Sequence, residues 1–299
     1  MKKLRQEFAD TCLEFGKTEK KLVVMVGDIS HGILQPFAKS FPDRYYNIGI
    51  CEPTIVNLAA GLSHVGLIPV VHTIAPFIIE RAYEQIKLDF GYQKLGINLI
   101  SVGGAFDYSQ LGCSHHCYAD VSLMSHFSNA KVFLPGSASE FKTLFKENFQ
   151  NKSINYFKLT EYPHSIVIPP NEIKSGKAVT IKEGTDITIV TTGAQLKNCV
   201  EASSILLSKN ISAEILYFPT IKPFDSKAFS SSIKKTTRWL SVEELSSHDG
   251  LFNLCLKAEK NEKVTSKQCK QLAISDFIYG YGSYEELCKV AGLTSKNIV

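Results

Sequence analysis

Arg44-Tyr45-Tyr46-Asn47-Ile48-Gly49-Ile50-Cys51-Glu52 is the stretch on which the reading of this chain turns. A strand-like run ends in glycine and then delivers a carboxylate at the mouth of a helix. That helix, read over 53–65 as PTIVNLAAGLSHV, has small and apolar residues at helical spacing, so one of its faces is destined for a core. Glu52 lies among Ile48, Ile50 and the run Ala59-Ala60-Gly61-Leu62, and it is expected to be at least partly desolvated. Burial disfavours the charged form of a carboxyl, which lets it share a proton with a ligand nitrogen. The plainer reading of the same glutamate is a helix cap.

Outward from this stretch, strand-like runs alternate with helical patterns. LVVMVG (22–27) is short, β-branched and closed by the turn Gly27-Asp28, and IPVVHTI (68–74), INLISVGG (97–104), KVFLPG (131–136) and INYFKL (154–159) share its character. Helical segments fall at 53–65, 77–92 and 137–149, the last opened by Ser137 and Ser139 as candidate caps. A stretch over 161–179 with three prolines and no period reads as a connection. The alternation restarts with DITIVTTG (186–193), a helix over 195–208, AEILYFPT (213–220) and TTRWLSVEEL (236–245), and the chain ends in a helical SYEELCKVAGL. The expected class is α/β: two domains over 1–165 and 183–299, joined by a linker over 166–182, each a mostly parallel sheet with flanking helices.

Composition narrows the function. Of 299 residues, 44% are hydrophobic and 21% charged, and a net charge of +4 is spread along the chain, so neither nucleic acid nor a membrane surface is an expected partner. No apolar run reaches the ~18–20 residues that span a bilayer, and the charged amino terminus lacks the apolar core of a secretory signal. The eight cysteines contain no Cys-x-x-Cys pair. Cys113 and Cys117 flank His115 and His116, but no second ligand cluster completes a zinc site, so reduced thiols in a cytoplasmic protein are the expectation.

The stretch around Glu52 resembles the pyrimidine-binding domain of transketolases, whose pattern Arg-x-x-Asn-x-Gly-Ile-x-Glu is met by Arg44, Asn47, Gly49, Ile50 and Glu52. The similarity continues through the Gly27-Asp28 turn, Phe41-Pro42, the helix start Phe77…Arg81-Ala82-x-Glu84-Gln85-Ile86, and the loop Gly112-x-Ser114-His115…Asp120-x-x-Leu123-Met124. In the second half Lys222-Pro223-x-Asp225, Val242-Glu243-Glu244 with Gly250, and Gly292-Leu293-Thr294 are similar to the transketolase C-terminal domain.

The resemblance implies thiamine diphosphate as cofactor, with Mg²⁺ on its diphosphate. The cofactor carries the carbon chemistry and the protein positions and tunes it. By the same resemblance, Glu52 would hydrogen-bond the aminopyrimidine N1′ and be catalytic. Ile50 and Phe77 would line the cofactor, Phe77 as an aromatic platform. His115 would lie over the reacting carbon as a catalytic and substrate-binding group, with His116 its rival, and His31 would face the substrate. Arg81 reads as structural, paired with a carboxylate on its own helix or a neighbour. The Gly-Asp-Gly…Asn motif that holds diphosphate and metal in this family is missing: His248-Asp249-Gly250 has no Asn downstream at the needed spacing, so no metal ligand is assigned to this chain.

The expectation is therefore the C-terminal subunit of a split enzyme. It would be active only with an N-terminal diphosphate-binding transketolase subunit, as a dimer of heterodimers acting on small sugars. The alternatives are the β subunit of a 2-oxoacid dehydrogenase-like or deoxyxylulose-phosphate-synthase-like enzyme, and a non-catalytic regulatory subunit. Departures from the family pattern bear on substrate. Asp28-Ile29-Ser30-His31-Gly32-Ile33 has glycine or isoleucine near an expected serine, and Thr160-Glu161 puts a carboxylate where a phosphate-binding arginine is expected. Arginine suits phosphate because its planar fork makes two charge-assisted hydrogen bonds. A glutamate there predicts an acceptor without a terminal phosphate, such as a nucleotide-linked keto sugar or a small aldehyde, unless Lys158, His31 or a partner residue restores the charge.

Overall fold

A computed structural model describes residues 2–299. Its strands are β1 (Leu22–Val26), β2 (Tyr45–Asn47), β3 (Ile68–Ile74), β4 (Ile97–Val102), β5 (Ala130–Phe133), β6 (Ile154–Leu159), β7 (Val179–Lys182), β8 (Ile187–Thr191), β9 (Ala213–Tyr217), β10 (Thr220–Lys222), β11 (Arg238–Ser246) and β12 (Gln268–Ile274). They form two sheets, ordered β10-β5-β6-β4-β3-β1-β2 and β12-β11-β8-β9-β7. Only β10 in the first and β7 in the second run antiparallel to their neighbours. This is the expected α/β plan with two largely parallel sheets. Strands β1, β4 and β6 are buried at every position, as a parallel sheet covered on both faces requires.

One face of the first sheet carries the helices Leu4–Thr18 and Ala138–Asn148, knit by an aromatic cluster in which Phe15 stacks on Phe145 and Phe149. Ser137 caps the second of these helices, its hydroxyl accepting from the Glu140 amide, whereas Ser139 lies inside it. The other face carries the helix Glu52–His64, which buries Ile55, Val56 and Ala59. Strand order reverses about β1, which pairs with β2 on one side and β3 on the other. The crevice beyond the carboxyl ends of such strands is where open α/β sheets bind ligands.

Several elements differ from the sequence reading. The strand at 97 ends at Val102, because Gly103 turns the backbone left-handed at φ 72°. The segment 77–92 is not one α-helix: π-helical turns at Pro76–Glu80 and Ile86–Tyr92 flank a short α-turn, Tyr83–Gln85. The run at 213–220 breaks after Tyr217, and Thr220–Lys222 crosses to the first sheet, pairing with β5. Strands β7 and β12 and the helices Ser226–Thr236 and Leu251–Glu262 have no counterpart in the sequence reading.

Candidate functional site

The loops that leave the carboxyl ends of β1 and β2 are tied together by one side chain. Asn47, the last residue of β2, accepts hydrogen bonds from the amides of Asp28 (3.0 Å) and Gly49 (3.1 Å), and donates to the Asp28 carboxylate at 3.1 Å. Gly49 has φ 84°, a left-handed conformation that a side chain would strain even though nothing crowds the position. This turn throws the chain into the helix that begins at Glu52. Arg44 anchors the other end of the stretch, donating to the carbonyls of Gly16 and Glu19 at 2.8 Å, where the first helix runs out of internal partners.

The Glu52 side chain is wholly buried. Its Oε2 accepts from Arg81 Nη1 at 2.6 Å, and its Oε1 has no partner. Arg81 therefore pairs with a carboxylate of a neighbouring helix. The same guanidinium lies 4.3 Å from the centroid of the Phe77 ring, and the Phe77 ring meets His115 edge-on, with centroids 5.2 Å apart. Glu52, Arg81, Phe77 and His115 thus form one continuous cluster. His115 is half-buried, with Ser114 Oγ 3.0 Å from its Nδ1. Gly112, at φ 73°, opens the turn before it, and a Cβ there would collide with Tyr281 of the second domain. His116 points elsewhere: it is buried, its Nδ1 is 2.8 Å from the Tyr118 hydroxyl, and burial lowers its proton affinity.

The other expected residues lie on the rim. Ile50 is 64% exposed in the loop before Glu52. His31 is exposed, with Nε2 3.0 Å from Asp28, so it joins the Asn47 network rather than the Phe77 cluster. Glu161 is not a free carboxylate: Arg5 Nη1 donates to it at 3.2 Å, while Arg5 Nη2 donates to the Ser30 hydroxyl at 2.9 Å. Ser30 in turn reaches Nε2 of His72 at 2.8 Å, and His72 Nδ1 donates to the Ile100 carbonyl. The carbonyl makes Nδ1 the protonated nitrogen, and burial pushes the His72 pKa down to about 4, which favours the neutral ring. Lys158 is buried and paired with Asp120 at 3.1 Å.

Sequence reasoning paired Arg81 with a carboxylate of its own or a neighbouring helix without naming Glu52, and it missed Arg5 as the partner of Glu161. The pairs are 29 and 156 residues apart, and no local spacing signals either. A histidine inside the apolar run of β3 was a usable signal that something polar faced it. Among the described residues no group of three or more His, Cys, Asp and Glu is placed to hold a metal ion, and no helix is long and apolar enough to cross a membrane.

Two family models match the chain: the transketolase pyrimidine-binding domain over residues 1–161 and the transketolase C-terminal domain over 176–298. The chain is 31% identical over 284 residues to a subunit of apulose-4-phosphate transketolase from Actinobacillus succinogenes, covering 93% of this chain and 90% of that protein. It is 29% identical to a putative transketolase C-terminal section from Methanocaldococcus jannaschii, over 99% of this chain and 94% of that protein. Among solved structures it is similar to one described as a split gene transketolase, inactive beta4 tetramer, with a TM-score of 0.90 and 28% identity, covering 99% of this chain and 95% of that chain.

Proposed function

The chain belongs to the transketolase family, and from that premise we propose that it supplies the pyrimidine end of a thiamine-diphosphate site and works only with a separate partner subunit. The observation that carries this reading is the unpartnered, fully buried Oε1 of Glu52, whose other oxygen is bound by the guanidinium that lies over Phe77. A buried carboxylate oxygen without a donor is costly unless a ligand completes it. An aminopyrimidine would bring both a ring-edge nitrogen for that oxygen and a flat face for Phe77, so these residues fit the group.

When bound, the cofactor supplies carbon–carbon bond cleavage and formation at a carbonyl. In that setting Glu52 holds and shares a proton at the pyrimidine nitrogen, Phe77 supports the ring, and Ile50 closes the side of the pocket. His115 is positioned through Phe77 to hydrogen-bond substrate oxygens or move protons, and His31 lies further out, on the substrate side. The reaction is transfer of a ketol or acyl unit from a ketose or keto donor to an aldehyde or keto acceptor. The partner contributes the ligands of Mg²⁺ and the diphosphate, in a dimer of heterodimers, and this chain contributes a pyrimidine-binding domain over 1–165 and a C-terminal domain over 183–299. The split-gene description of the similar structure, and the naming of the relatives as a transketolase subunit and a C-terminal section, support the division of labour.

The acceptor is one without a terminal phosphate at the Glu161 end of the cleft. Arg5 is held by Glu161 and Ser30 and Lys158 by Asp120, so these two cations are already engaged, and the His31 ring is tied to Asp28. Reconstitution with the partner tests both parts. The isolated chain should show no Mg²⁺-dependent thiamine diphosphate binding tighter than roughly millimolar, and the complex should bind in the micromolar range. Micromolar binding by the isolated chain refutes the split site. In acceptor assays, unphosphorylated or nucleotide-linked acceptors should exceed ribose 5-phosphate in kcat/KM, and the reverse order overturns the acceptor reading.

A further inference from the structure

A second cavity, of about 520 Å³, opens at the amino ends of β1, β3, β4 and β6, the opposite end of the first sheet from the Glu52 crevice. Lys21, Lys94, Lys152 and His64, all exposed, line it, and Glu19 is its one carboxylate. Three helices end here: Leu4–Thr18, Glu52–His64 and Ala138–Asn148. Lysines at such a place commonly serve the last carbonyls of a helix, which have no partner within it. Here other groups already do so. Arg44 donates to the carbonyls of Gly16 and Glu19, and turn amides at Val65, Gly66 and Leu67 bond back to Gly61, Ser63 and Leu62. Asn98 donates to the Phe149 carbonyl at 2.9 Å, and Asn155 to that of Asn148 at 3.0 Å. Glu19 is occupied too, one oxygen accepting from the Lys21 amide and the other from Gln150. Among the described residues, the ammoniums of Lys21, Lys94 and Lys152 hydrogen-bond to nothing and pair with no carboxylate.

We infer that this cavity binds a phosphorylated small molecule. Three cations without a structural task surround one concave space, and its volume falls in the range of about 300–1,000 Å³ that small ligands use. A site of like charges gains most from a ligand that carries several negative charges. Phosphate answers that need best, because each group presents three acceptor oxygens in three directions and lysine meets it as a point charge from any of them. A carboxylate offers two oxygens in one plane. The inference is independent of the reading of Glu52, since none of the residues that line this cavity belongs to the Glu52 cluster.

The test titrates the full chain with inorganic pyrophosphate in a calorimeter, at low ionic strength to limit screening and without Mg²⁺, which would neutralise the probe. Binding should be saturable, with half-occupancy below about 1 mM. Half-occupancy above that concentration overturns the site. The double variant Lys94→Gln, Lys152→Gln should bind about tenfold more weakly, the combined effect of two exposed charge contacts. Lys227→Gln with Lys260→Gln removes the same charge from exposed positions of the second domain and should leave binding unchanged. A loss in the first pair no greater than in the second shows only general attraction to a positive chain and overturns the inference. Citrate, of similar charge, should bind more weakly than pyrophosphate, and equal or tighter binding overturns the phosphate class.

Discussion

The two halves of the molecule each bury a glutamate completely, and they treat it in opposite ways. Glu243, in the second domain, is saturated. Its Oε1 accepts from the Phe252 amide at 3.0 Å, the Ser241 hydroxyl at 3.1 Å and the Gln271 amide at 3.2 Å, and its Oε2 accepts from the Leu251 amide. It closes the first turn of the helix Leu251–Glu262, where free N–H groups and the helix dipole favour a carboxylate. Glu52, in the first domain, has one partner, Arg81, and one bare oxygen. A saturated buried carboxyl is a structural bracket, while an unsaturated one is a binding group whose last partner arrives from outside.

If that distinction holds, the largest effect belongs to Glu52 in the assembled enzyme. Glu52→Gln should slow hydrogen exchange at the thiazolium carbon of bound cofactor by ~10²–10⁴, the usual range for losing a positioned acid–base group. Proton NMR of the complex in D₂O reads this directly, and wild-type exchange in the variant would remove Glu52 from the chemistry.

A smaller effect, of about 3 kcal/mol, belongs to Glu243 and concerns stability. Burial pushes its pKa up to about 7 from an ordinary 4.5. The folded state therefore binds the proton more tightly than the unfolded one, so this contribution is complete at low pH and is lost as pH rises from about 4.5 through 7. Wild type should lose about 3 kcal/mol more than Glu243→Gln between those limits in denaturant titrations. Parallel pH profiles would show that Glu243 is not the bracket described. The comparison with the variant is needed because His72 acts in the opposite direction: its pKa is depressed to about 4, so its contribution is present above about 6.5 and lost as pH falls.

The smallest effect sharpens the contrast. Glu52→Gln in the isolated chain should change unfolding free energy by no more than about 1 kcal/mol, because the pair it breaks reaches a partly exposed arginine. A loss of several kcal/mol would make Glu52 a bracket like Glu243.

Much of this plan was legible in the residues. Runs rich in apolar residues announced β1, β3, β4 and β6 because parallel strands covered on both faces are made mostly of such residues. Glu52 stood out because a charged residue between a glycine turn and an apolar helix needs an explanation. What stayed hidden has physical reasons. Strand β12 begins Gln-Cys-Lys with exposed side chains at the edge of its sheet, and β7 is four residues long, so neither shows an apolar period. The interruption of 77–92 by π-turns leaves no mark on a helical pattern. The engagement of Arg81 with Glu52 and of Arg5 with Glu161 depends on how loops from different strands converge, which spacing along the chain does not encode.

Strand β10 limits how the chain can be divided. It lies beyond the proline-rich connection, yet it pairs with β5, while Lys222 donates to the carbonyls of Ser125 and Phe127 and Ile221 packs into the core shared with the first domain. A fragment cut at that connection would keep every strand of the first domain's own making and still present a bare edge at Ala130–Phe133, a template for pairing with other chains. The same applies to recombination. A chimera that takes its second half from a relative inherits that relative's version of Thr220–Lys222, and it will fold only where the borrowed strand still fits the groove between Phe133 and the Ser125–Phe127 turn.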